Sequence, residues 1–325
     1  MAPTDSAGEA LARRSQDSRQ TRPRILVLLA AHNGASWIGE QLRSILAQQE
    51  VDVRVVVRDD ASADETRAQV APFLDDGRVS LTSGETPSGS AAQNFFALLR
   101  ENSPANFDFV ALADQDDEWF TDKLARAARG LQAGAGAGYS SATLATWPNG
   151  RSALLTQSSR ATPSDFLFGG MGQGCTFVLT AQFYGRARDF LARHAALSRE
   201  IHYHDWALYA LARAWSLPWI FDPAPSMRYR QHGGNDTGAR KSVAGARKRL
   251  DLIRSGWYAR QLGVIARLCA SASPSQPVVC AWHAILIAPP TWSRRVRIAR
   301  FCLRGGRRGA ADNCVILVAA LAGWL

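Results

Sequence analysis

The chain has 325 residues, 46% of them hydrophobic and 20% charged, with 10 Trp, enough to bury a sizeable core and to exclude wholesale disorder. The net charge of +10 is uneven: residues 240–308 hold 15 Lys or Arg against the single acid Asp251, a balance of +14 that leaves −4 for the rest. Five cysteines, odd in number and forming no CxxC pair, argue against a zinc site or a disulfide framework and read as small buried hydrophobes.

Residues 1–22 contain no apolar run, so they predict a disordered tail with no secretory signal and a cytoplasmic protein. Arg24–Ala31 (RILVLLAA) then reads as a strand buried on both faces, followed by a helix over Trp37–Gln48. Val53–Val57 is a second buried strand, with a helix from about Asp64 to Phe73 behind Ser62. A strand at Val79–Thr82, a helix at Ala91–Leu99 and a third buried strand at Phe107–Leu112 continue the alternation. That order predicts an α/β fold with a mostly parallel, Rossmann-like sheet and flanking helices. Beyond Lys123 the pattern weakens. Gly134–Gly138 reads as a flexible connector, Gly169–Thr180 as a glycine-rich loop entering a strand, His202–Trp215 as a helix and Met227–Arg230 as a short strand.

In such sheets ligands sit at the carboxyl ends of the strands, and three polar clusters fall there: His32-Asn33, Asp59-Asp60 and Asp114-Gln115-Asp116-Asp117. No GxGxxG or P-loop glycine pattern follows any of these strands. The three carboxylates of the last cluster repel one another unless a divalent cation such as Mg²⁺ or Mn²⁺ neutralises them, and such a cation commonly also binds substrate phosphates. Taken alone the cluster would sooner describe a solvated turn capping the helix near Thr121. The order of the three motifs decides against that.

With these motifs in this order, the sequence resembles the family 2 glycosyltransferases of the A-type nucleotide-sugar fold over about residues 24–240. The run Ala113–Trp119 with Lys123-Leu124, and the segment from Gly84 to Asn94-Phe95, resemble the bacterial rhamnosyltransferase branch. The resemblance implies a donor pocket lined by Ala31, Asn33, Asp59, Asp60, Asp114, Gln115, Asp117 and Arg230, with Asp59 or Asp60 accepting the imide N–H of a pyrimidine. It implies a divalent metal held by Asp114, Asp116 and His232, the last in a segment (Tyr229–Asn235) that closes over the diphosphate. Asp64 matches the family pattern too, but equally fits a helix cap, and His32 receives no catalytic role.

By the same resemblance Asp205, in His202–Trp206, is the base that takes the acceptor proton in a single, inverting displacement, with helix capping as its alternative. His202 and His204 also form an HxH pair that zinc would accept, although no third ligand lies nearby in sequence. Gly174, Cys175, His204 and Trp206 would border donor sugar and acceptor. The implied donor is dTDP- or UDP-linked, the sugar rhamnose, and the acceptor a cell-surface glycan or a lipid-linked one, with no nucleic acid. A sugar-nucleotide nucleotidyltransferase is the alternative enzyme, but residues 31–39 lack the basic loop that such enzymes carry. A membrane- or nucleic-acid-associated binding protein is the non-enzymatic alternative, and it leaves the acidic loops unexplained.

The domain division is thus a tail at 1–22, a catalytic domain at 23–238 and a basic, amphipathic helical region at 239–325. Apolar runs at Val278–Pro289 and Cys314–Leu325 are too short to span a bilayer of about 30 Å. Basic, Trp-bearing helices suit the inner face of the plasma membrane, and they equally suit an appendage packed on the catalytic domain.

Overall fold

A computed structural model describes residues 22–156, 161–232 and 250–325. The tail and the boundary near residue 238 lie outside the described residues. Strand β1 (Arg24–Ala31) is flanked by parallel β2 (Asp52–Asp59) and β4 (Phe109–Asp114), and β3 (Val79–Ser83) pairs parallel with β2. Alternate residues of β1 enter opposite cores, as the two-residue period of a strand requires: Ile25, Val27 and Leu29 pack on one face, Leu26 and Leu28 on the other. The first face is covered by α1 (Ile38–Leu46) through Ile38, Leu42 and Ile45, one helical stripe. Short helix α2 (Thr66–Val70) follows β2 and passes into a 3-10 turn at Ala71–Asp76. Helix α3 (Ala91–Glu101) covers the second face, and its first turn is capped by Ser90, whose hydroxyl accepts the Gln93 N–H.

The other half of the sheet is mixed. The full order is β3-β2-β1-β4-β8-β6-β9-β5, with β7 (Ser152–Leu155) on β6. Strands β5 (Glu118–Trp119), β6 (Gly138–Thr146), β8 (Val178–Thr180) and β9 (Trp219–Arg230) complete it. Helix α4 (Lys123–Gly134) ends where the glycine-rich connector was expected, so only residues 135–137 join it to β6. Met227–Arg230 is the end of a twelve-residue strand whose start is obscured by Pro223 and Pro225. Strand β6 escapes a hydrophobic pattern because Ser140, Ser141 and Thr143 occupy fully buried positions.

Helices α5 (Ala181–Arg193), α6 (Ala195–Arg199) and α7 (His204–Ala214) back the second face. The C-terminal region forms α8 (Trp257–Ala272), α9 (Pro277–Leu286), α10 (Trp292–Leu303) and α11 (Ala310–Ala322). Its apolar side chains, among them Leu262, Ile265 and Trp282, join the same core as α3 and α7. The packing expected of an appendage is therefore present. Among the described residues no helix is long and apolar enough to cross a membrane.

Two registers set up the site. Ala31 pairs with Asp59 and Ala30 with Asp114, so β1, β2 and β4 end level and their three polar loops emerge side by side. Glu118-Trp119 then pairs antiparallel with Met227-Arg228, which brings the end of β9 against the acidic loop.

Candidate active site

The first two loops are held by local bonding. Asn33 takes a left-handed φ of 51°, accepts the Ala63 N–H at 2.9 Å and donates its own N–H to Ser62 Oγ at 2.8 Å, stitching the β1 loop to the β2 loop. The Gln115 amide clamps the His32 backbone, accepting its N–H at 2.8 Å and donating to its carbonyl at 2.9 Å. A side chain at Gly34 would meet Gln115 Oε1 at 2.1 Å, so the clamp requires glycine there. His32 Nδ1 lies 2.8 Å from the Asp60 carbonyl, a backbone-bonded histidine. Asp64 accepts the N–H groups of Ala35 and Thr66 and so ties the β1 loop to the start of α2.

Asp59 and Asp60 differ in their commitments. Asp60 accepts from Arg58 at 2.9 Å and from both the backbone and the hydroxyl of Ser88, so it ties down the loop before α3. Asp59 meets Arg67 at 2.6 Å through Oδ2, while its buried Oδ1 has no hydrogen-bond partner. The Ala31 carbonyl is also taken, by the Asp60 N–H and Asn94 Nδ2.

The acidic loop divides in two. Asp116 turns outward: its Oδ2 lies 2.7 Å from His232 Nε2, and the His232 ring stacks on Trp37 with centroids 4.2 Å apart. Arg230 spans the same rim, donating to the Asp116 carbonyl at 3.2 Å and pairing with Glu40 at 2.6 Å. Sequence reasoning missed Trp37 and Glu40, whose only signal was their place on the first turn after loop 1. Residues 233–235 of the closing segment lie outside the described residues.

Asp117 turns inward and is fully buried. Neither of its oxygens receives a well-formed hydrogen bond. Burial, then the neighbouring Asp116 and Asp114 charges, push its pKa well above the usual carboxylate range. Donor atoms of Asp114, Asp117 and Cys175 lie within 4.8 Å of one another. Beneath them Lys123, also fully buried, donates to the Thr176 carbonyl at 3.2 Å and lies 4.4 Å from the Trp119 ring centre. Burial lowers the Lys123 pKa to about 8.

On the opposite side Asp205 occupies the first turn of α7, half-buried, and its Oδ1 accepts the Trp206 N–H at 2.7 Å. Tyr203 holds the N-cap position without a side-chain cap bond, so Asp205 satisfies one first-turn N–H from inside the helix. A side chain built at Gly170 would lie 3.7 Å from Asp205 Oδ2, and one at Gly174 would lie 2.5 Å from His204 Nε2, so this glycine-rich loop approaches the α7 start closely. The other residues expected beside the sugars sit around this loop and the start of α7. Trp206 is buried, its indole N–H bonded to the Phe166 carbonyl at 2.8 Å, and presents no sugar platform. Cys175 is buried in the acidic cluster, and burial together with Asp117 and Asp114 pushes its thiol pKa up, so it meets no sugar. His204 stacks on Phe95 at 3.9 Å, and among the described residues neither His202 nor His204 belongs to a group of three side chains that could hold a metal.

Residues 26–195 match the family described as Glycosyl transferase family 2. The chain belongs to that family. This glycosyltransferase is 34% identical over 247 residues to the dTDP-rhamnosyl transferase RfbG of Shigella flexneri, a match covering 75% of this chain and 86% of that relative. Its fold is similar to that of TarS from S. aureus in complex with UDP, with a TM-score of 0.55, 16% identity, and coverage of 92% of this chain and 87% of the other. It is also similar to the mannosyltransferase PcManGT of Pyrobaculum calidifontis, solved with GDP-Man and Mn²⁺, with a TM-score of 0.51, 18% identity and coverage of 98% and 92%. At these identities the two structures speak for the A-type fold. The rhamnosyltransferase-like character rests on the sequence relative.

Proposed function

We propose that this glycosyltransferase moves rhamnose from a dTDP- or UDP-linked donor to a glycan or lipid-linked acceptor, inverting the anomeric carbon. The observation that carries the reading is the contact of Asp116 with His232, which joins the loop after β4 to the end of β9 across the level ends of β1, β2 and β4. The choice of rhamnose is supported by the similarity to a dTDP-rhamnosyl transferase. Asp59, which keeps an unpartnered oxygen, meets the imide N–H of the pyrimidine; Asp60 is committed to Arg58 and Ser88. Asn33 and Gln115 shape the nucleotide side, and Arg230 faces the diphosphate.

The donors fit a divalent cation of the Mg²⁺ or Mn²⁺ kind. Asp116 and His232 would hold it, offering an oxygen and a nitrogen side by side, hard or borderline donors that suit these ions; Asp114 groups instead with Asp117 and Cys175, whose donor atoms lie within 4.8 Å of one another. When bound, the metal supplies positive charge to the departing diphosphate. On the acceptor side Asp205 takes the hydroxyl proton as that oxygen bonds to the anomeric carbon. The bond from carbon to the diphosphate oxygen breaks, and the nucleoside diphosphate leaves with the bonding electrons.

The full-length protein with Mn²⁺ should be stabilised by dTDP- or UDP-sugars in a thermal-shift screen and should release the matching nucleoside diphosphate once acceptor is added. No shift and no release with any donor would sink the proposal. Release of pyrophosphate from a nucleoside triphosphate and a sugar phosphate would mark a nucleotidyltransferase.

The cytoplasmic face of the membrane is the proposed working place. Trp292 and Leu303 of α10 are 64% and 69% exposed, Val318 of α11 is 58% exposed, and Arg297, Arg300 and Arg304 are exposed on or beside α10. Apolar side chains interleaved with arginines favour anionic lipid surfaces. Flotation with anionic vesicles should carry the protein, and neutral vesicles should not; equal behaviour with both would remove the membrane from the reading.

A further inference from the structure

The basic C-terminal region reaches the glycine-rich loop through Arg307, beside Gly169, and through Arg308, bonded to Gly170. Arg308, in the turn between α10 and α11, is only 10% exposed at its side chain. Its Nη2 donates to the Gly170 carbonyl at 2.6 Å, and its Nη1 donates to Asp165 Oδ2 at 3.1 Å. Asp165 is itself 2% exposed at its side chain and also receives Arg213 at 2.9 Å and the Tyr209 hydroxyl of α7 at 3.0 Å. Two arginines and a phenol thus converge on one buried carboxylate, an arrangement that leaves a costly unpaired charge if any part is withdrawn.

The turn is seated as firmly as the side chain. The Thr162 hydroxyl donates to the Gly305 and Gly306 carbonyls at 2.6 and 2.7 Å, and from α8 the Tyr258 hydroxyl donates to the Phe168 carbonyl at 2.8 Å. The segment these contacts hold, residues 162–171, leads directly into the loop that touches Asp205. That loop is poor in anchors of its own, with glycine at 169, 170, 172 and 174. A carbon atom at Gly170 would lie 3.5 Å from the Trp206 backbone and 3.7 Å from Asp205 Oδ2, so the position of Gly170 sets the wall beside that carboxylate.

We infer that Arg308 is a positioning residue for the acceptor side: its guanidinium fixes the Gly170 carbonyl to Asp165 and thereby holds the glycine-rich loop against Asp205. The C-terminal region is then part of the acceptor site as well as a packing and membrane-facing appendage. This rests on the proposed sugar transfer with Asp205 facing the acceptor. The planar fork of arginine is what spans two acceptors at once, and lysine, a single point charge, cannot reproduce it.

The test compares full-length wild type with Arg308→Lys and Arg308→Met, in the presence of Mn²⁺. Donor affinity is followed by titration with the nucleoside diphosphate, acceptor KM and kcat by transfer, and loop protection at residues 168–176 by hydrogen exchange. Arg308→Lys should raise the acceptor KM or lower kcat about tenfold, with nucleotide affinity within about twofold of wild type and faster exchange confined to the loop. Unchanged acceptor kinetics in a folded Arg308→Lys would overturn the inference, as would an equal loss of nucleotide affinity, which would indicate general damage. Should Arg308→Met fail to fold, the lysine variant alone decides. A wild type that transfers no sugar with any donor fails the proposed function instead, before Arg308 is tested.

Discussion

His232 Nε2 lies 2.7 Å from Asp116 Oδ2, with the imidazole stacked on Trp37. The two residues follow separate strands, β4 and β9, and their contact bridges the loop after β4 to the end of β9. Because Asp116 also accepts an Arg230 bond through its carbonyl, the end of β9 is fastened to the acidic loop at two points.

Removing either partner should therefore lower metal-dependent turnover without unfolding the protein, since both side chains sit at the rim. Asp116→Asn and His232→Gln should each lose about 100-fold or more in kcat, a usual cost for a lost electrostatic stabiliser of developing charge. Activity titrated against Mn²⁺ measures this. The half-saturating metal concentration should rise in both variants, and an unshifted metal titration at full activity would remove the pair from the metal site.

Asp205 makes a different demand. Its Oδ1 accepts the Trp206 N–H, and an amide oxygen can do the same, so Asp205→Asn should keep the start of α7. Nucleotide affinity should stay at the wild-type level while transfer falls by about 10²–10⁴-fold, the range for loss of a general base. Full transfer activity would leave Asp205 with its bond to the Trp206 N–H alone.

Much of this was legible in the sequence because β1, β2 and β4 are continuous apolar runs ending in polar clusters. The levelness of those ends follows from parallel pairing, so three separate motifs could be read as one site. Strand β6 was not legible, since its buried Ser140, Ser141 and Thr143 mimic a loop. The inward turn of Asp117 was equally hidden: four adjacent polar residues look alike until Lys123 is found beneath one of them. Arg308 was lost among fifteen basic residues, because its partner Asp165 is 143 positions away and the pair exists only through the packing of α10 and α11 on the core.

Gly34 offers a sharp test of the nucleotide side. In Gly34→Ala the new methyl would overlap Gln115 Oε1, so the amide must leave the His32 backbone. Nucleotide affinity should fall about tenfold, equal to about 1.4 kcal/mol, as the loop loses its clamp. Isothermal titration with UDP and dTDP reads the change, and Gly34→Ala paired with Gln115→Ala should lose no more than Gln115→Ala alone, because both lack the clamp.

The Cys175 thiol and the Lys123 charge favour the charged form of Asp117, and Lys123 and Asp117 are both fully buried. Lys123→Met keeps the volume but withdraws that charge and the donor to the Thr176 carbonyl, so it should cost about 1–3 kcal/mol of stability. Chemical denaturation measures the loss. The double variant Lys123→Met with Asp117→Asn should be less destabilised than the sum of the single changes, because the two charges interact.

His204 supplies a pH signature. Burial lowers its pKa to about 3 from the usual 6.5, so the folded protein keeps this imidazole neutral where the unfolded chain protonates it. Between those two values the unfolded state binds more protons, so stability rises with pH and is lost as pH falls from 6.5 toward 3. From about pH 7 to pH 5 the loss from this residue should be about 2 kcal/mol. Replacing His204 with phenylalanine, which can still stack on Phe95, removes the titration. The stability of His204→Phe should therefore fall less steeply over that interval than that of wild type. Parallel slopes in urea denaturation at the two pH values would show that the buried imidazole does not set the acid sensitivity.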